Sequence, residues 1–348
     1  MHAAAISPRG GIARKATNLR GQAVMEYVLI IAVVSLVVAF AGPGVAGAIR
    51  NQFSSIAGAL ANGVAGTVQR PSQPSTPPHG SGGSGGSGGN IPDQEQKDYL
   101  EDMKTVTGKD PRDWTLEDQK KAADDIAEKG TASVAFPKAK VAMDAGTKFT
   151  MKLTDGRTLT YRIIGINHDD LADGSGKAGL TFLTTSTGIS SRMNAADNNV
   201  GGWEKSELRA KMNSGEIWNL MPSDFQSKVE SVRKLTNNVG GTGTNAAVTA
   251  TSDRLFLLSY SEIVPTSCWT SVFPWTSSEG TQYEAFKGKV TQNSSGNDCL
   301  RIGGYFSWWE RSVCPDGIGY FLSVDSAGKP TSVDSVSGSS CVCPAWCF

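Results

Sequence analysis

The first pattern in the chain is an apolar run that follows a basic flank. Residues 1–20 carry four basic side chains and no acidic one, and residues 27–49 carry no charged side chain. As a helix, this run would span about 35 Å, enough to cross the hydrocarbon core of a bilayer, which is about 30 Å thick. Because basic flanks stay in the cytoplasm, the pattern predicts a membrane segment with the remainder of the chain outside.

The apolar periodicity continues beyond the uncharged run. Ile49, Phe53, Ile56, Leu60 and Val64 recur at steps of three or four, which is the spacing of one helix face. We therefore expect a long N-terminal hydrophobic helix over residues 22–69 that packs against neighbours as well as crossing a membrane. A proline within it, flanked by glycines, should kink the helix.

A tether and a helical segment come next. Residues 70–92 are rich in proline and then in glycine and serine, a composition typical of a flexible linker. Residues 93–130 predict two helices, the second with a capping box at Thr115 and Asp118 and a stop at Gly130. This helical preface is either a solvated spacer that packs on the next domain or a pair of partner-binding helices.

Residues 131–348 show short alternating runs separated by Gly/Ser/Asn loops, which indicates an α+β head with an antiparallel sheet. A hairpin is predicted from residues 149–153 through an Asp155-Gly156 turn to residues 158–166. Further strands are expected at 180–184, 254–258, 319–324 and 341–344, with short helices at 205–212 and 223–235.

Composition narrows the classes of function. The 33 basic residues balance 33 acidic ones and the pI is about 6.8, so the chain lacks the positive charge of a nucleic-acid-binding protein. With three histidines in the whole chain, a His-rich metal site is nearly excluded. No phosphate-binding or dinucleotide-binding glycine motif is present, and we expect no cofactor.

All six cysteines lie in the head: Cys268, Cys299, Cys314, Cys341, Cys343 and Cys347. An even, clustered count outside the cell predicts three disulfides, although the sequence does not choose among the pairings. Zinc is the alternative because Cys-x-Cys-x3-Cys has ligand-like spacing, but no histidine lies nearby.

The start of the apolar run resembles a known processing site. The stretch Leu19-Arg-Gly-Gln-Ala-Val-Met-Glu-Tyr27 is similar to that of type IVb pilins of the Flp (Tad) group. The resemblance implies cleavage by a prepilin peptidase after Gly21, leaving Gln22 as the mature N-terminus and Glu26 and Tyr27 as the family's Glu-Tyr pair. Residues 1–21 would then be a leader, and the subunit would pass from the membrane into a surface filament of like subunits.

Two other identities compete for this segment, a plain signal anchor and a cleaved secretory signal, for which Ala46-Gly47-Ala48 could supply the site. Neither explains Glu26, because a carboxylate that enters lipid costs about 2.5 kcal/mol or more unless it is paired. In a packed filament the Glu26 carboxylate can neutralise the free amine of a neighbouring subunit.

The head carries a second set of recognisable segments: Gly202-Trp203, Leu208-Arg209, 254–262, 308–312 and 342–346. Together they resemble a family of uncharacterised domains on surface proteins of gut bacteria, and more loosely C-type-lectin-like folds. Strand alternation would bury one indole of the Trp308-Trp309 pair and expose the other. Together with Trp275 and Arg311, the exposed indole is a candidate contact for a host or bacterial glycan; a protein ligand is the alternative.

Enzymatic chemistry has weaker support. His168, the head's one histidine, could serve a hydrolase but fits a turn or cap better, and bridged cysteines would not form a reactive pair. Asp169, Asp170 and Asp173 could bind calcium, although their spacing is not that of an EF-hand. The sequence therefore predicts a pilin-like surface subunit with an extracellular adhesin or ligand-binding head, either in the shaft or at its tip. The alternatives are a membrane-anchored binding protein that never polymerises and an exported enzyme.

Overall fold

The computed structural model of the protein describes residues 91–186, 188–238, 248–265, 268, 279–291, 293–302, 306–314 and 317–348. These belong to the unit formed by Ser87–Phe348. The predicted leader, assembly helix and most of the linker, residues 1–90, lie outside the described residues.

Nine short α-helices are described, and the longest has 14 residues. Four precede the first strand: α1 Ile91–Asp102, α2 Lys104–Gly108, α3 Leu116–Lys129 and α4 Phe136–Ala145. Five lie between strands: α5 Gly202–Lys205, α6 Glu207–Asn213, α7 Glu216–Asn219, α8 Ser223–Gln226 and α9 Tyr260–Ile263. Single 3₁₀ turns occur at Pro111–Asp113, Gly130–Ala132 and Asp298–Leu300.

Eleven described strands form three sheets. The four-stranded antiparallel sheet has the order β1-β2-β3-β11, with β1 Phe149–Lys152, β2 Thr158–Ile166, β3 Leu180–Thr184 and β11 Ala345–Cys347. The five-stranded sheet has the order β4-β10-β7-β8-β9, with β4 Ser190–Ser191, β7 Trp308–Val313, β8 Tyr320–Val324, β9 Ser332–Ser335 and β10 Ser340–Cys341. The remaining pair is β5 Val232–Asn237 and β6 Val248–Asp253.

Local sequence signals give the first elements. The predicted capping box at the start of α3 is confirmed, since Thr115 and Asp118 bond each other's backbone N–H, and Gly130 ends the helix with a positive φ of 56°. The predicted hairpin is also confirmed: β1 pairs with β2 in antiparallel register, and Gly156 turns with φ 86°. The expected strand at residues 180–184 is β3.

Two other expectations are wrong in part. The helix predicted over 223–235 ends at Gln226, and Val232–Asn237 forms β5 instead, in which the sequence alternates Val, Lys and Thr on one face. Residues 254–258 form no strand; residues 255–258 are buried, and Phe256 forms an isolated bridge with Ala345. Consecutive residues of this segment are buried, so the sequence there is a continuous apolar run. Such a run is also typical of a buried strand, which explains the wrong prediction.

An aromatic cluster centred on Trp346 joins the elements. Its ring centroid lies 4.8 Å from that of Tyr161, 5.1 Å from that of Phe225 and 5.7 Å from that of Phe182. All four rings are buried, on β11, β2, α8 and β3. The C-terminal strand therefore provides the centre of the core.

Helix α3 packs into the same core. Gln119 accepts a 3.1 Å hydrogen bond from Tyr161 Oη, and Ala122, Ala123 and Ile126 are fully buried. The approach is close at Gly179, where a Cβ would lie 1.8 Å from the Ala123 carbonyl oxygen. Only glycine permits this contact, so the predicted preface is packed directly on the head.

The predicted fold class is wrong in two respects. It combined a long hydrophobic helix with a disulfide-rich head, but no helix in the described part of the chain is long and apolar enough to cross a membrane. No disulfide bond joins the described cysteines. The finding is a mixed α and β unit with several short helices.

The cysteine positions explain the second correction. Cys341, Cys343 and Cys347 are buried in the core, where a thiol packs as a small apolar group. Burial raises the pKa of Cys341 and that of Cys299, and raises those of Cys343 and Cys347 well above the ordinary range. These four thiols therefore stay neutral and poorly nucleophilic.

Candidate functional site

Four buried charged side chains, Asp169, Lys234, Glu262 and Arg311, form a charge cluster between the sheets. Lys234 on β5 places its ammonium 2.6 Å from Asp169 Oδ1 and 2.5 Å from Glu262 Oε1. The same Nζ donates a 3.1 Å hydrogen bond to the Tyr283 hydroxyl. Lys234 thus joins the turn after β2 to helix α9.

Arg311 forms the other half of the cluster. Its Nη1 and Nη2 donate to the two oxygens of Glu262 at 2.5 and 2.9 Å, a bidentate pair. The same nitrogens also donate to the carbonyls of Leu257, Leu235 and Glu279 at 2.8, 3.1 and 2.6 Å. Because its donors are satisfied, the guanidinium can be buried completely in the middle of β7.

The Asp169 carboxylate, like the Arg311 guanidinium, makes several hydrogen bonds. It accepts hydrogen bonds from Thr181 Oγ1 at 2.6 Å, from Tyr283 Oη at 2.9 Å and from Cys347 Sγ at 3.5 Å. The Cys347 thiol, predicted as a disulfide partner, instead belongs to this polar network. Because Thr181 lies on β3 and Cys347 lies on β11, these hydrogen bonds connect both strands to the charge cluster.

The ionisation of the cluster follows from these contacts. Burial opposes charge on Asp169, but the Lys234 ammonium outweighs it and lowers the pKa of this carboxyl. Burial likewise opposes charge on Glu262, whose pKa is lowered by Arg311 and then by Lys234. Burial would lower the pKa of Lys234, yet the two carboxylates raise it. The cluster is therefore ionised at neutral pH.

Two further buried acids lie beside the cluster. Burial raises the pKa of Glu279 to about 7 although Arg311 attracts its charge, and its oxygens accept from Asn237 N at 3.0 Å and Ser312 Oγ at 2.5 Å. Glu310 is fully buried, and neither of its oxygens has a hydrogen-bond partner in the part of the chain that the structure describes. Burial and the charge of Glu279 raise the Glu310 pKa well above its usual range, so Glu310 is neutral.

A pocket of about 190 Å³ opens over the charge cluster. Gly280 forms part of its wall, with φ 127°, and a Cβ there would lie 2.9 Å from Glu262 Cγ and Oε1. A glycine is needed for this chain segment to lie against the charged floor. The lining residues are His168, Asp169, Asp170, Lys177, Arg233, Lys234, Leu235, Glu262, Glu279, Gly280 and Thr281.

His168 is fixed on one side of this pocket. Its ring stacks on that of Tyr283 with centroids 4.0 Å apart, and its Nδ1 lies 3.2 Å from Glu284 Oε2. Burial favours the neutral acid, but the His168 hydrogen bond lowers the pKa of Glu284 to about 2. The hydrogen bonds described for the imidazole include no serine or cysteine, so a Ser-His-Asp arrangement is not formed here.

The predicted exposure of one indole of the Trp308-Trp309 pair is wrong, and Arg311 is not exposed either. Trp308, Trp309 and Arg311 are all buried, and both indole N–H groups donate to backbone carbonyls, of Leu300 at 3.0 Å and Ser191 at 2.8 Å. Strand β7 lies inside the five-stranded sheet, between β10 and β8, and every residue along it is buried. Alternation along a strand exposes one face only where that face meets solvent.

The other predicted site positions are Trp275, the processing pair Gly21 and Gln22, and the assembly pair Glu26 and Tyr27. All lie outside the described residues.

The acidic turn after β2 divides its side chains among different partners. Asp169 enters the charge cluster, Asp170 pairs with Lys177 at 2.8 Å, and Asp173 accepts from Ser175 N and Oγ. Among the residues described, no group of three or more acidic, histidine or cysteine side chains is placed to hold a metal ion.

Sequence reasoning missed Lys234, Glu262 and Glu279. One signal was available for Glu262, because Ser259 lies three residues before it and the two form a capping box at α9. Lys234 occupies an inward-facing position of strand β5. A lysine in a strand is normally predicted to face solvent, because lysine is rarely buried without a charged partner.

A protein-family model described as "Domain of unknown function (DUF6273)" matches residues 178–348. No curated protein and no solved structure matches the chain. The matched segment begins just before β3 and includes Lys234, Glu262 and Arg311, whereas Asp169 and His168 precede it. The segment that resembles DUF6273 thus supplies three members of the charge cluster, and the chain before it supplies the fourth.

Proposed function

We propose that the chain is a pilin-like subunit of a type IVb, Flp/Tad-like surface filament that displays its C-terminal unit as a ligand-binding head. The observation that carries the proposal is the Gly21-x4-Glu26 spacing immediately before an uncharged segment of 23 residues that begins with Tyr27. In a simple membrane anchor, an acid at the start of the apolar run is unfavourable and has no role. In a packed filament, the same carboxylate can pair with the amine of a neighbouring subunit.

The rest of the chain fits this assignment. The basic flank of residues 1–20 would hold the leader in the cytoplasm, where a prepilin peptidase acts at the membrane face. The Pro-rich and Gly/Ser-rich linker would separate the assembling segment from the head.

The assembly step is tested by Glu26→Ala in the native host. Because the Glu26 carboxylate pairs with the mature amine of a neighbouring subunit in the proposed filament, we expect the variant to be depleted at least about tenfold from mechanically sheared surface material. It should accumulate in the membrane fraction, as measured by immunoblotting against the head.

The matched control is Glu95→Ala, which removes an exposed acid from α1. It should leave the sheared fraction at the wild-type amount. Equal release of wild type and Glu26→Ala would contradict assembly through Glu26 and favour a tethered binding protein.

A further inference from the structure

One positive charge of the pocket has no partner among the residues that the structure describes. Lys234 is held in the charge cluster, and Lys177 is held by Asp170 at 2.8 Å and by the His168 carbonyl at 2.9 Å. The exposed Arg233 donates its backbone N–H to the Asp170 carbonyl at 2.8 Å, but its guanidinium makes no ion pair or hydrogen bond with any residue described. The Arg233 guanidinium is therefore available to a ligand.

The acidic side chains of the pocket already have ion-pair or hydrogen-bond partners within the protein. Asp169 and Glu262 are neutralised by Lys234 and Arg311. Asp170 pairs with Lys177, and both oxygens of Glu279 accept protein hydrogen bonds. A cationic ligand would have to displace these partners, so the pocket favours an anionic group at Arg233.

Neutral donors also line the pocket. The backbone N–H groups of Gly280 and Thr281 have no hydrogen-bond acceptor among the described residues, and the Thr281 side chain is exposed. The amides can donate to ligand oxygens, and the Thr281 hydroxyl can donate or accept. A ligand that carries hydroxyl groups beside its anionic group could contact both Arg233 and these donors.

The size and charge of the pocket limit the ligand further. A volume of about 190 Å³ is below the range of about 300–1,000 Å³ typical of drug-sized sites, so one small molecule fits. Among the described residues that line the pocket, Arg233 is the one lysine or arginine left without an ion-pair partner, so the pocket can neutralise a single negative charge. A monoanion such as a carboxylate suits this lining better than a phosphate dianion.

We propose that the pocket binds a small hydroxylated carboxylate of the uronic acid class, with its carboxylate on Arg233 and its hydroxyls against Gly280 and Thr281. A guanidinium recognises a carboxylate through two parallel hydrogen bonds, which gives both orientation and selectivity. The inference rests on the proposed function, in which the C-terminal unit is a ligand-binding head, and it gives that head a ligand class.

The test is calorimetric titration of the purified full chain in detergent with glucuronate, glucose and glucose 6-phosphate. We expect glucuronate to bind more tightly than either of the other two. Arg233→Gln should weaken glucuronate binding by about 10- to 100-fold, because a charge-assisted pair is lost. The control Arg301→Gln removes a half-exposed arginine that does not line the pocket and should change nothing.

Three results would overturn the proposal: no heat with glucuronate at millimolar concentration, tighter binding of glucose 6-phosphate, or equal binding by Arg233→Gln. Because the titration needs no filament, its failure would leave assembly through Glu26 untouched. Loss of assembly would in turn leave the titration unchanged.

Discussion

Lys234→Met is expected to lower the free energy of unfolding by about 3–5 kcal/mol, the usual cost of removing one partner from a buried ion pair. Lys234 is 2% exposed and lies between Asp169 and Glu262, so the variant leaves buried carboxylates with too little positive charge. Arg311 still neutralises Glu262, and the larger penalty falls on Asp169. Chemical denaturation of the full chain in detergent, followed by tryptophan fluorescence, measures the change.

The control is Lys177→Met, which removes a lysine of the same length from an exposed pair with Asp170. It should cost less than about 1 kcal/mol, since solvent screens such pairs. Adding Asp169→Asn to Lys234→Met should recover part of the loss, because one uncompensated charge disappears. A loss for Lys234→Met no larger than that for Lys177→Met would show that the charge cluster does not support the fold.

Glu310→Met is expected to act in the opposite direction and to raise the free energy of unfolding near neutral pH by about 1–3 kcal/mol. Glu310 is fully buried with neither oxygen hydrogen-bonded to a described residue, and methionine fills a similar volume without a polar end. The wild type must keep this acid protonated inside the fold while the unfolded chain ionises it.

The pH dependence fixes the sign of this effect. Burial raises the folded-state pKa of Glu310, so above the unfolded pKa of about 4.3 the folded chain holds a proton that the unfolded chain releases. Wild-type stability from this group therefore falls as pH rises above about 4.3, and the advantage of Glu310→Met should grow over the same interval. The exposed control Glu95→Met should show no such trend. Destabilisation by Glu310→Met near neutral pH would mean that the carboxyl has a partner that stabilises its charge.

Local signals in the sequence predicted local structure well. The capping box at Thr115 and Asp118 and the Asp155-Gly156 hairpin depend on residues a few positions apart, so the sequence contains the whole interaction. Strand β3 is a short apolar run and was predicted for the same reason.

The candidate site could not be predicted in this way. Asp169 and Lys234 meet across 65 positions of sequence, and Glu262 and Arg311 meet across 49. Each charge alone is typical of a solvent-exposed position, and only the assembled sheets show that the four neutralise one another.

The prediction that one indole of the Trp308-Trp309 pair is exposed was wrong for a related reason. Strand alternation tells which residues share a face, but not whether both faces are covered. The disulfide prediction rested on the even number of cysteines and their expected location outside the cell. That Cys343 and Cys347 are instead packed in the core depends on the tertiary fold, which the count does not contain.

The central claim, that this chain is processed and assembled as a pilin-like subunit, is tested most directly by mass spectrometry of its N-terminal peptide. The material should be sheared surface filaments of the native host, compared with the membrane fraction of the same cells. The account predicts a chain that begins at Gln22 in the sheared material. An intact leader through Gly21, or a chain found solely in the membrane fraction, would contradict it.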